Sequence, residues 1–210
     1  MSYPQALALQ ERLLAARPAW DHDLLVLLEH DPVVTAGRGT QQQHLLASPK
    51  QLAAHGIDYH EVRRGGDLTY HGPGQLVGYP LLDLSLCNRD LHLYLRKLET
   101  VITKTLAEFD LVGHPSTGRT GVWVGKHKIA SIGVAVRRWI SWHGFALNVC
   151  NDLQGFETIV PCGLHDTRMT SMAKCLQHEV DLQRVIECII EKFAEVFGLP
   201  YLGDFTETDD

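Results

Sequence analysis

The chain has 210 residues, 45% of them hydrophobic, and carries a formal net charge of −6 with a pI near 6.0. This length predicts one domain over residues 1–210 with one substantial core, and the negative charge argues against a protein that binds nucleic acid through a broad basic surface. No apolar stretch reaches the roughly 18–20 residues of a membrane span, and the segment Met1–Gln5 lacks the pattern of a secretory signal, so we expect a cytoplasmic protein with no membrane partner.

Four predicted elements occupy the first quarter of the chain. Apolar spacing and turn residues predict a helix, a buried strand, a tight turn and a second, short helix, at Tyr3–Arg17, Asp23–His30, Gly37–Gly39 and Ser48–His55. Pro18 and Gly56 end the two helices. Ser48 precedes Pro49, and a serine at this place is a typical N-cap because its hydroxyl accepts a hydrogen bond from an unpaired backbone N–H.

Residues 64–74, with the sequence Arg-Gly-Gly-Asp-Leu-Thr-Tyr-His-Gly-Pro-Gly, form the most informative segment. Glycine permits close backbone approach and positive φ, whereas proline restricts φ, so this composition is typical of a backbone held in an unusual shape. An apolar strand, Gln75–Asp83, follows at once, which predicts a rigid loop that forms a site. The alternative is a long hairpin whose glycines serve only the turn.

The second half of the chain holds a long helix, three strands and a final helix. Apolar residues repeat at three and four positions in both helical segments, and β-branched and aromatic residues dominate the strands. The predicted elements are Leu91–Phe109, the hairpin strands Gly121–Gly125 and Lys128–Val136, the strand Trp139–Val149, and Asp181–Phe197, closed by Gly198. Because short turns join several strands, we predict an α/β fold of the α+β type, with a mixed, largely antiparallel sheet flanked by helices.

Five scattered cysteines, without a Cys-x-x-Cys pair, are expected to be free thiols, and most are expected to be small buried residues. Cys188 lies in the final helical pattern, where a packing role is expected. Cys162 differs because Pro161 and Gly163 flank it, which restricts the backbone and leaves little bulk around the sulfur. This frame is typical of an accessible thiol, although a buried, inert thiol remains the alternative for any one cysteine.

A nucleophilic thiol needs a neighbouring cation or base, since an unperturbed cysteine is only slightly ionised at neutral pH. The candidates are Lys128, His71, His143 and Arg64. Small and apolar neighbours of Lys128 indicate a partly desolvated ammonium, although its side chain can also extend from the strand end into water. His143 is a candidate donor to an oxyanion or, equally, a core imidazole with satisfied hydrogen bonds.

The twelve histidines do not form a metal-binding pattern, because no His-x-x-x-His spacing on a helix and no Cys-x-x-Cys pair occurs. Nucleotide-binding motifs are missing from the sequence as well, including the Gly-x-x-x-x-Gly-Lys-Ser/Thr loop and a Gly-x-Gly-x-x-Gly segment that opens a helix. We therefore predict neither a metal nor a bound nucleotide.

Four blocks together resemble the lipoyl(octanoyl) transferases. They are residues 64–75, the segment Lys-Ile-Ala-Ser-Ile-Gly at 128–133, the segment His-Gly-Phe-Ala-Leu-Asn at 143–148, and Pro161–Gly163. Their order and approximate spacing match the family over roughly residues 24–197. The resemblance implies a fold similar to the catalytic domains of biotin and lipoate protein ligases.

The resemblance also implies an acyltransferase that moves an octanoyl group from octanoyl-acyl carrier protein to a lysine of a lipoyl domain, such as those of 2-oxo acid dehydrogenases and the glycine cleavage H protein. Cys162 matches the family's acyl-thioester cysteine and Lys128 its thiol-activating lysine, while ATP and metal are not required. The positions that match substrate-contacting segments are Arg64, Gly65, Gly66, Asp67, Leu68, Thr69, Tyr70, His71, Ser131, Ile132, Gly133, Gly144, Phe145 and Ala146. Some members carry Gln where this chain has Asp67, so the match there concerns the backbone.

Two other functions compete with this interpretation. The first is an ATP-dependent lipoate or biotin protein ligase, which shares the fold and needs no covalent cysteine. The second is a non-catalytic module that binds an acyl group. For an octanoyl transferase, the exposed-looking basic residues Arg63, Arg137 and Arg138 are the predicted docking patch for acidic partner proteins.

Overall fold

The computed structural model describes residues 1–17, 22–163 and 167–205, with the backbone but not the side chain of Cys162. The helices are α1 (Tyr3–Ala16), α2 (Pro49–Ala54), α3 (Leu91–Ala107), α4 (Met172–Leu176) and α5 (Leu182–Phe197). The strands are β1 (Leu24–Leu28), β2 (Val33–Ala36), β3 (Asp58–Glu61), β4 (Leu68–His71), β5 (Gln75–Leu81), β6 (Gly113–Ser116), β7 (Arg119–Val124), β8 (His127–Arg137) and β9 (Ile140–Asn148).

The strands form two sheets. The large sheet has six antiparallel strands in the order β1-β5-β9-β8-β7-β6, and the small sheet has the order β3-β2-β4. In the small sheet, β2 and β3 are parallel and β2 and β4 are antiparallel. The predicted class, a largely antiparallel α+β fold with flanking helices, is confirmed, but the strands are divided between two sheets rather than joined in one.

Two apolar cores correspond to the two sheets. The main core lies between the large sheet and the apolar faces of α3 and α5, where Leu98, Ile102 and Ile189 are completely buried. A smaller core lies under the small sheet and includes Leu52 of α2, Leu68 and Phe156. Ser48 accepts a hydrogen bond from Gln51 N and caps α2 as predicted. The long helical periodicities therefore place the scaffold on which the central strands lie.

Several short elements differ from the sequence prediction. The segment predicted as a loop contains β4, and β2, β3, β6 and α4 were not predicted. Each of these five elements has only four or five residues, too few to show a period. β1, predicted as buried, is an edge strand with four half-buried residues. Pro18, predicted to end α1, lies outside the described residues.

The expected burial of most cysteines is wrong for the four whose side chains are described. Cys87 is buried, Cys175 and Cys188 are half-buried, and Cys150 is exposed. In the described parts of the chain, no helix is both long and apolar enough to cross a membrane.

Candidate active site

A narrow cavity of about 40 Å³ lies where the small sheet meets the centre of the large one. Its walls come from the segment before β4, from β4 itself, from β5, β8 and β9, and from the start of α1. Twelve predicted site residues line it: Arg64, Gly66, Asp67, Thr69, His71, Ser131, Ile132, Gly133, His143, Gly144, Phe145 and Ala146. The fold thus brings three sequence blocks together around one cavity, although the first and the last of these residues are about 80 positions apart in the chain.

Glycines allow the glycine-rich segment to lie directly on the large sheet. Gly133 pairs with Gly144 across β8 and β9, and a Cβ built on Gly133 would be 2.9 Å from Gly65 O. A Cβ on Gly144 would be 2.0 Å from Gly78 O, closer than real atoms approach. Gly65 N donates to Val134 O at 2.8 Å, so backbone contacts backbone where a side chain would not fit.

Arg64 fixes the shape of this segment. Its buried guanidinium donates to Thr35 O at 2.7 Å, Thr35 Oγ1 at 2.8 Å, Asp67 O at 2.8 Å and Gly65 O at 3.1 Å. Four oxygen acceptors on one planar cation hold the turn against β2. Arg64 therefore holds this segment against β2, and its positive charge also faces the cavity.

Alternation along β4 divides its four residues between two environments. Thr69 and His71 face the cavity, whereas Leu68 and Tyr70 belong to the smaller core. Successive strand residues point to opposite faces, so a continuous run of four could not all contact one ligand. Among the described residues, the cavity lining does not include the predicted positions Gly65, Leu68, Tyr70 and Lys128.

The two cavity histidines are neutral at physiological pH. Burial lowers the pKa of His71 to about 3, helped by His30 and by Arg64 and opposed by the hydrogen bond between His71 Nδ1 and Gln75 Oε1 at 2.7 Å. Burial, with the Arg64 charge, lowers the pKa of His143 to about 3 as well. Neither imidazole supplies the cation that a thiolate needs, which leaves Lys128 and Arg64 as the candidates. The Arg64 guanidinium already donates to four oxygens of its own segment and of Thr35, so Lys128 is the stronger candidate.

His143 lies in β9 with φ of +52° and is 1% exposed. Its backbone N–H donates to Gln10 Oε1 at 2.8 Å, and its ring stacks on Trp142 with centroids 4.3 Å apart. Its Nε2 atom has no hydrogen-bond partner among the described residues. The alternative of a core imidazole with satisfied hydrogen bonds is therefore wrong at this nitrogen, which remains able to bond a ligand in the cavity.

Lys128 is buried, with 2% of its surface exposed, so the alternative of a side chain that extends into water is wrong. A bulge between β7 and β8 shifts the register from Val122↔Ala130 to Trp123↔Lys128, and Ile129 and Ala130 both enter the main core. The extra residue returns Lys128 to the face of β8 that carries Ser131 and Gly133 of the cavity.

Neighbouring groups hold the Lys128 chain in place. The Nζ atom lies 5.2 Å from the Trp123 ring centroid, and a Cβ built on Gly121 would be 3.3 Å from it. The Lys128 backbone pairs with the strand-like segment after the Cys162 turn, because Lys128 N donates to Arg168 O and Thr170 N donates to Lys128 O, both at 2.9 Å. The same short stretch of chain thus connects the predicted lysine and the predicted cysteine.

Cys162 lies in the short 3₁₀ turn Pro161–Gly163. The turn is held by Val160 N, which donates to His44 O at 2.7 Å, and by Gly163 N, which donates to Val160 O at 3.1 Å. Gly163 has φ of +66°, and a Cβ there would lie 2.8 Å from His44 Cε1 and 2.9 Å from Asp67 Oδ2. Because Asp67 also lines the cavity, the cysteine turn borders the cavity. The predicted accessibility of the sulfur itself lies outside the described side chains.

Sequence reasoning missed four residues of this region. Tyr3, Val77 and Tyr79 line the cavity, and His44 contacts the turn that carries Cys162. Val77 and Tyr79 alternate on the predicted strand β5, so the period of two places them on one face once that face is known to border the cavity. Nothing local distinguishes Tyr3 or His44, since their roles depend on packing between distant segments.

Comparison with known proteins gives one consistent result. Residues 2–194 match the family model described as lipoyl protein ligase A/B catalytic domain. An octanoyltransferase of Nostoc sp. is 46% identical over 201 residues, covering 95% of this chain and 89% of the relative. An octanoyltransferase of Caldicellulosiruptor saccharolyticus is 43% identical over 204 residues, covering 96% and 87%. A crystal structure of lipoate-protein ligase A bound with ATP has a TM-score of 0.80 at 20% identity, covering 96% and 83%, and shares the fold.

Proposed function

The chain belongs to the lipoyl protein ligase A/B catalytic domain family and is an acyltransferase that transfers octanoyl groups, and we propose that it does so through an acyl-thioester on Cys162. The observation that carries this proposal is the contact between the Cys162 turn and the cavity through Asp67. A cysteine on a turn beside a partly apolar cavity is an arrangement that suits acyl-thioester chemistry.

The transfer has two steps. In the first, the Cys162 thiolate attacks the thioester carbonyl of octanoyl-acyl carrier protein, forming a new thioester and releasing the carrier's thiolate, which takes up a proton. In the second, the neutral amine of a lipoyl-domain lysine attacks this thioester, forming an amide, losing one proton and releasing the Cys162 sulfur. The first step exchanges thioesters of similar energy and the second forms a more stable amide, so the proposal requires neither ATP nor a metal.

The cavity supports the choice of an octanoyl group. Val77, Ile132, Phe145 and Ala146 supply apolar walls in a pocket that is otherwise formed by backbone and buried polar groups. Each methylene removed from water contributes about 0.8 kcal/mol, so a medium-length alkyl chain gains affinity from such walls without a charged contact. His143 Nε2 and Thr69 Oγ1 are buried polar atoms of the lining without a hydrogen-bond partner among the described residues, so either can donate to an acyl oxygen.

Lys128 is proposed to stabilise the Cys162 thiolate. A buried ammonium on the cavity face of β8 favours a neighbouring anion more strongly than an exposed one would, because water screens it less. The two cavity histidines are neutral and cannot replace it. Loss of this cation is therefore expected to reduce formation of the acyl-enzyme rather than the affinity for the octanoyl chain.

Intact-mass measurement after incubation with octanoyl-acyl carrier protein tests the proposal. The wild-type protein is expected to gain one octanoyl group, and Cys162→Ser is expected to gain none on sulfur. Cys150→Ser is the matched control, because Cys150 is an exposed thiol outside the cavity and should leave the adduct unchanged. Lys128→Ala is expected to slow adduct formation by about 10²–10⁴-fold. A wild-type protein that transfers octanoyl without any adduct contradicts the thioester mechanism.

A ligase that activates free octanoate with ATP is the second candidate, because the fold is shared with lipoate-protein ligase A. Octanoate and ATP with an unmodified lipoyl domain are expected to yield no octanoylated domain, whereas octanoyl-acyl carrier protein is expected to yield it without ATP. The reverse result would favour the ligase.

A further inference from the structure

We propose that Tyr3, at the start of α1, closes the far end of the cavity and limits the transferred acyl chain to the length of an octanoyl group. The proposal rests on the proposed thioester at Cys162, because that bond decides at which end of the cavity the acyl carbonyl lies. It assigns a specificity-determining residue that none of the four sequence blocks contains.

The cavity is a slot too small for a bent alkyl chain. Its volume of about 40 Å³ equals that of roughly three water-sized spheres at about 10–15 Å³ each. An acyl chain that enters this slot must therefore lie extended. A C–C bond of about 1.5 Å at an angle of about 111° advances an extended chain by about 1.25 Å, so an octanoyl group spans about 9 Å from carbonyl carbon to methyl carbon.

Three modest side chains in register form the floor of the slot. Ser131 of β8 pairs with Ala146 of β9, and Ala146 pairs with Val77 of β5. Residues directly opposite each other on neighbouring strands share one face, and all three of these residues line the cavity. Neighbouring strands lie about 4.8 Å apart, so the floor measures about 9.6 Å across its two spacings. This distance matches the length of an extended octanoyl group.

The acyl carbonyl lies at the β8 end of this floor. The bulge places Lys128 on the cavity face of β8, and the turn that carries Cys162 contacts Asp67 through Gly163. A chain bonded to Cys162 therefore starts near β8 and the beginning of β4, and runs across β9 toward β5. The wall beside it is long enough, because His71 lies four residues after Asp67, about 13 Å away at about 3.3 Å per residue.

The start of α1 lies at the opposite end of the floor. Ala6 is completely buried in an apolar cluster with Val77 and Ala146, so α1 packs across β5 and β9. Among the described residues of α1, Tyr3 alone lines the cavity, and only 3% of its surface is exposed. Tyr3 is thus the side chain that α1 places in the path of the terminal methyl group.

Aromatic contacts hold the Tyr3 ring in place. Its centroid lies 5.2 Å from that of His30 and 5.6 Å from that of His60. The His30 ring in turn lies 5.5 Å from the His71 ring, and His30 Nε2 is hydrogen-bonded to the Tyr79 hydroxyl at 2.6 Å. Burial raises the pKa of Tyr3 to about 12, so the ring is uncharged and suits contact with an alkyl chain. A chain longer than octanoyl would have to displace this packed ring, which close-packed interiors resist.

Competition between acyl chains of different length tests the proposal. The protein receives an equimolar mixture of octanoyl- and decanoyl-acyl carrier protein with an unmodified lipoyl domain, and the masses of the acylated domain give the ratio of the two kcat/KM values. The wild type is expected to transfer mainly octanoyl. Tyr3→Ala is expected to raise the decanoyl-to-octanoyl ratio at least about tenfold, because two further methylenes find room and each contributes about fourfold when buried.

Leu13→Ala is the matched control. Leu13 is a buried residue of the same helix, but it packs in a separate apolar cluster with Leu24 and Leu81. This variant weakens the packing of α1 without opening the slot, so its ratio should equal that of the wild type. An unchanged ratio in Tyr3→Ala, or an equal rise in Tyr3→Ala and Leu13→Ala, would overturn the proposal.

A second variant tests the path of the chain without altering Tyr3. Ala146→Val adds bulk to the middle of the floor, so a mixture of hexanoyl- and octanoyl-acyl carrier protein should show the hexanoyl-to-octanoyl ratio raised at least about tenfold. An unchanged ratio would contradict a chain that crosses β9. Should Tyr3→Ala not fold, Tyr3→Leu keeps more apolar volume and is expected to shift the decanoyl ratio in the same direction by less; no shift would overturn the proposal.

Failure of the thioester proposal gives a different result. A wild-type protein that transfers octanoyl without an adduct on Cys162 contradicts the thioester. The chain-length ratio is measured on the lipoyl domain and does not depend on that adduct, so it still decides the role of Tyr3.

Discussion

At the scale of single residues, the site depends on which side chains can carry charge when buried. Lys128 and Arg64 are buried cations, and Arg64 is bonded to four oxygens of the backbone and Thr35. The histidines near them respond by remaining neutral, because a further positive charge in the same apolar surroundings would be costly. The sequence alone treats the lysine, the arginine and the two histidines as equivalent partners for a thiolate. Burial distinguishes them, because it leaves the two histidines neutral.

A further buried histidine, His30, makes the stability of the protein depend on pH. Burial lowers the pKa of His30 to about 4, although its Nδ1 atom bonds Met1 O and its Nε2 atom bonds the Tyr79 hydroxyl at 2.6 Å. In the unfolded chain His30 takes up a proton near its ordinary pKa of 6.5. Between these two values the unfolded state binds one more proton than the folded state. The contribution of His30 to the free energy of unfolding is therefore complete above pH 6.5 and declines as the pH falls toward 4.

His30→Gln is expected to make the free energy of unfolding less dependent on pH. Urea unfolding between about pH 6 and pH 4.5 should show a slope smaller by about 1.4 kcal/mol per pH unit, the value for one proton. Other groups, including Glu99 with its pKa raised by burial, are common to both proteins and cancel in the difference. The exposed His55→Gln is the control and should leave the slope as it is. An equal slope in His30→Gln and the wild type would contradict the buried, neutral state of His30.

At the scale of elements, the residues proposed for catalysis lie where the backbone is irregular. The bulge in β8 turns Lys128 toward the cavity face, and the 3₁₀ turn Pro161–Gly163 sets Cys162 against His44 and Asp67. The long helices α3 and α5 lie on the other side of the large sheet and stabilise it through the main core. The residues proposed to be reactive thus lie in a bulge and a turn, while regular elements supply the rigid support.

Gly163→Ala tests the turn. The methyl group would enter the space of the His44 ring and the Asp67 carboxylate and push the turn that carries Cys162 out of place. We therefore expect octanoyl transfer to fall at least about 10²-fold, as a misplaced catalytic group commonly costs. Gly56→Ala is a matched control, because Gly56 has φ of +69° with no atom within 4 Å of its Cβ position. Both variants carry the same conformational penalty of about 1 kcal/mol, measurable by urea unfolding. Equal activity of the two would show that the contact with His44 and Asp67 has no role.

At the scale of the whole molecule, charge distribution bears on how partner proteins approach. The chain is negative overall, yet Arg63, Arg137 and Arg138 are exposed, and the hydrogen bond between Gly65 N and Val134 O brings their two segments together next to the cavity. Local positive charge can attract an acidic protein even when the net charge is negative, because salt screens distant charges more than near ones. The docking patch predicted from the sequence remains a prediction, now with a location beside the cavity.

Reversing the charge of one arginine measures how much the docking patch contributes to the binding of an acidic partner. Arg137→Glu is expected to raise the KM for octanoyl-acyl carrier protein several-fold, most strongly at low salt, with kcat unchanged, because a charge at the rim mainly affects encounter. Lys126→Glu is the matched control, because Lys126 is an exposed charge next to the other end of β8, roughly 36 Å away at about 3.3 Å per residue. A KM that responds equally to both changes, or to neither, would count against a docking patch at Arg137.

The sequence by itself determined the elements with strong local signals and the chemistry with strong motifs. Helices α1, α3 and α5, the capped start of α2 and the central strands follow from spacing and capping residues, which act within a few positions along the chain. The four blocks identified the octanoyl-transfer family, and the family membership and fold class are confirmed.

Only the tertiary structure decided how these parts meet. The division into two sheets, the β4 strand inside the glycine-rich segment, the bulge that turns Lys128, the low pKa values of His71 and His143, and the pairing of His44 with Asp67 all depend on contacts between residues far apart in the chain. Strand pairing and side-chain burial are set by such distant contacts, whose partners no local pattern records. For this reason the sequence singled out Cys162 and Lys128 as candidates, whereas the residues that surround them, including His44 and Asp67, emerged from the fold.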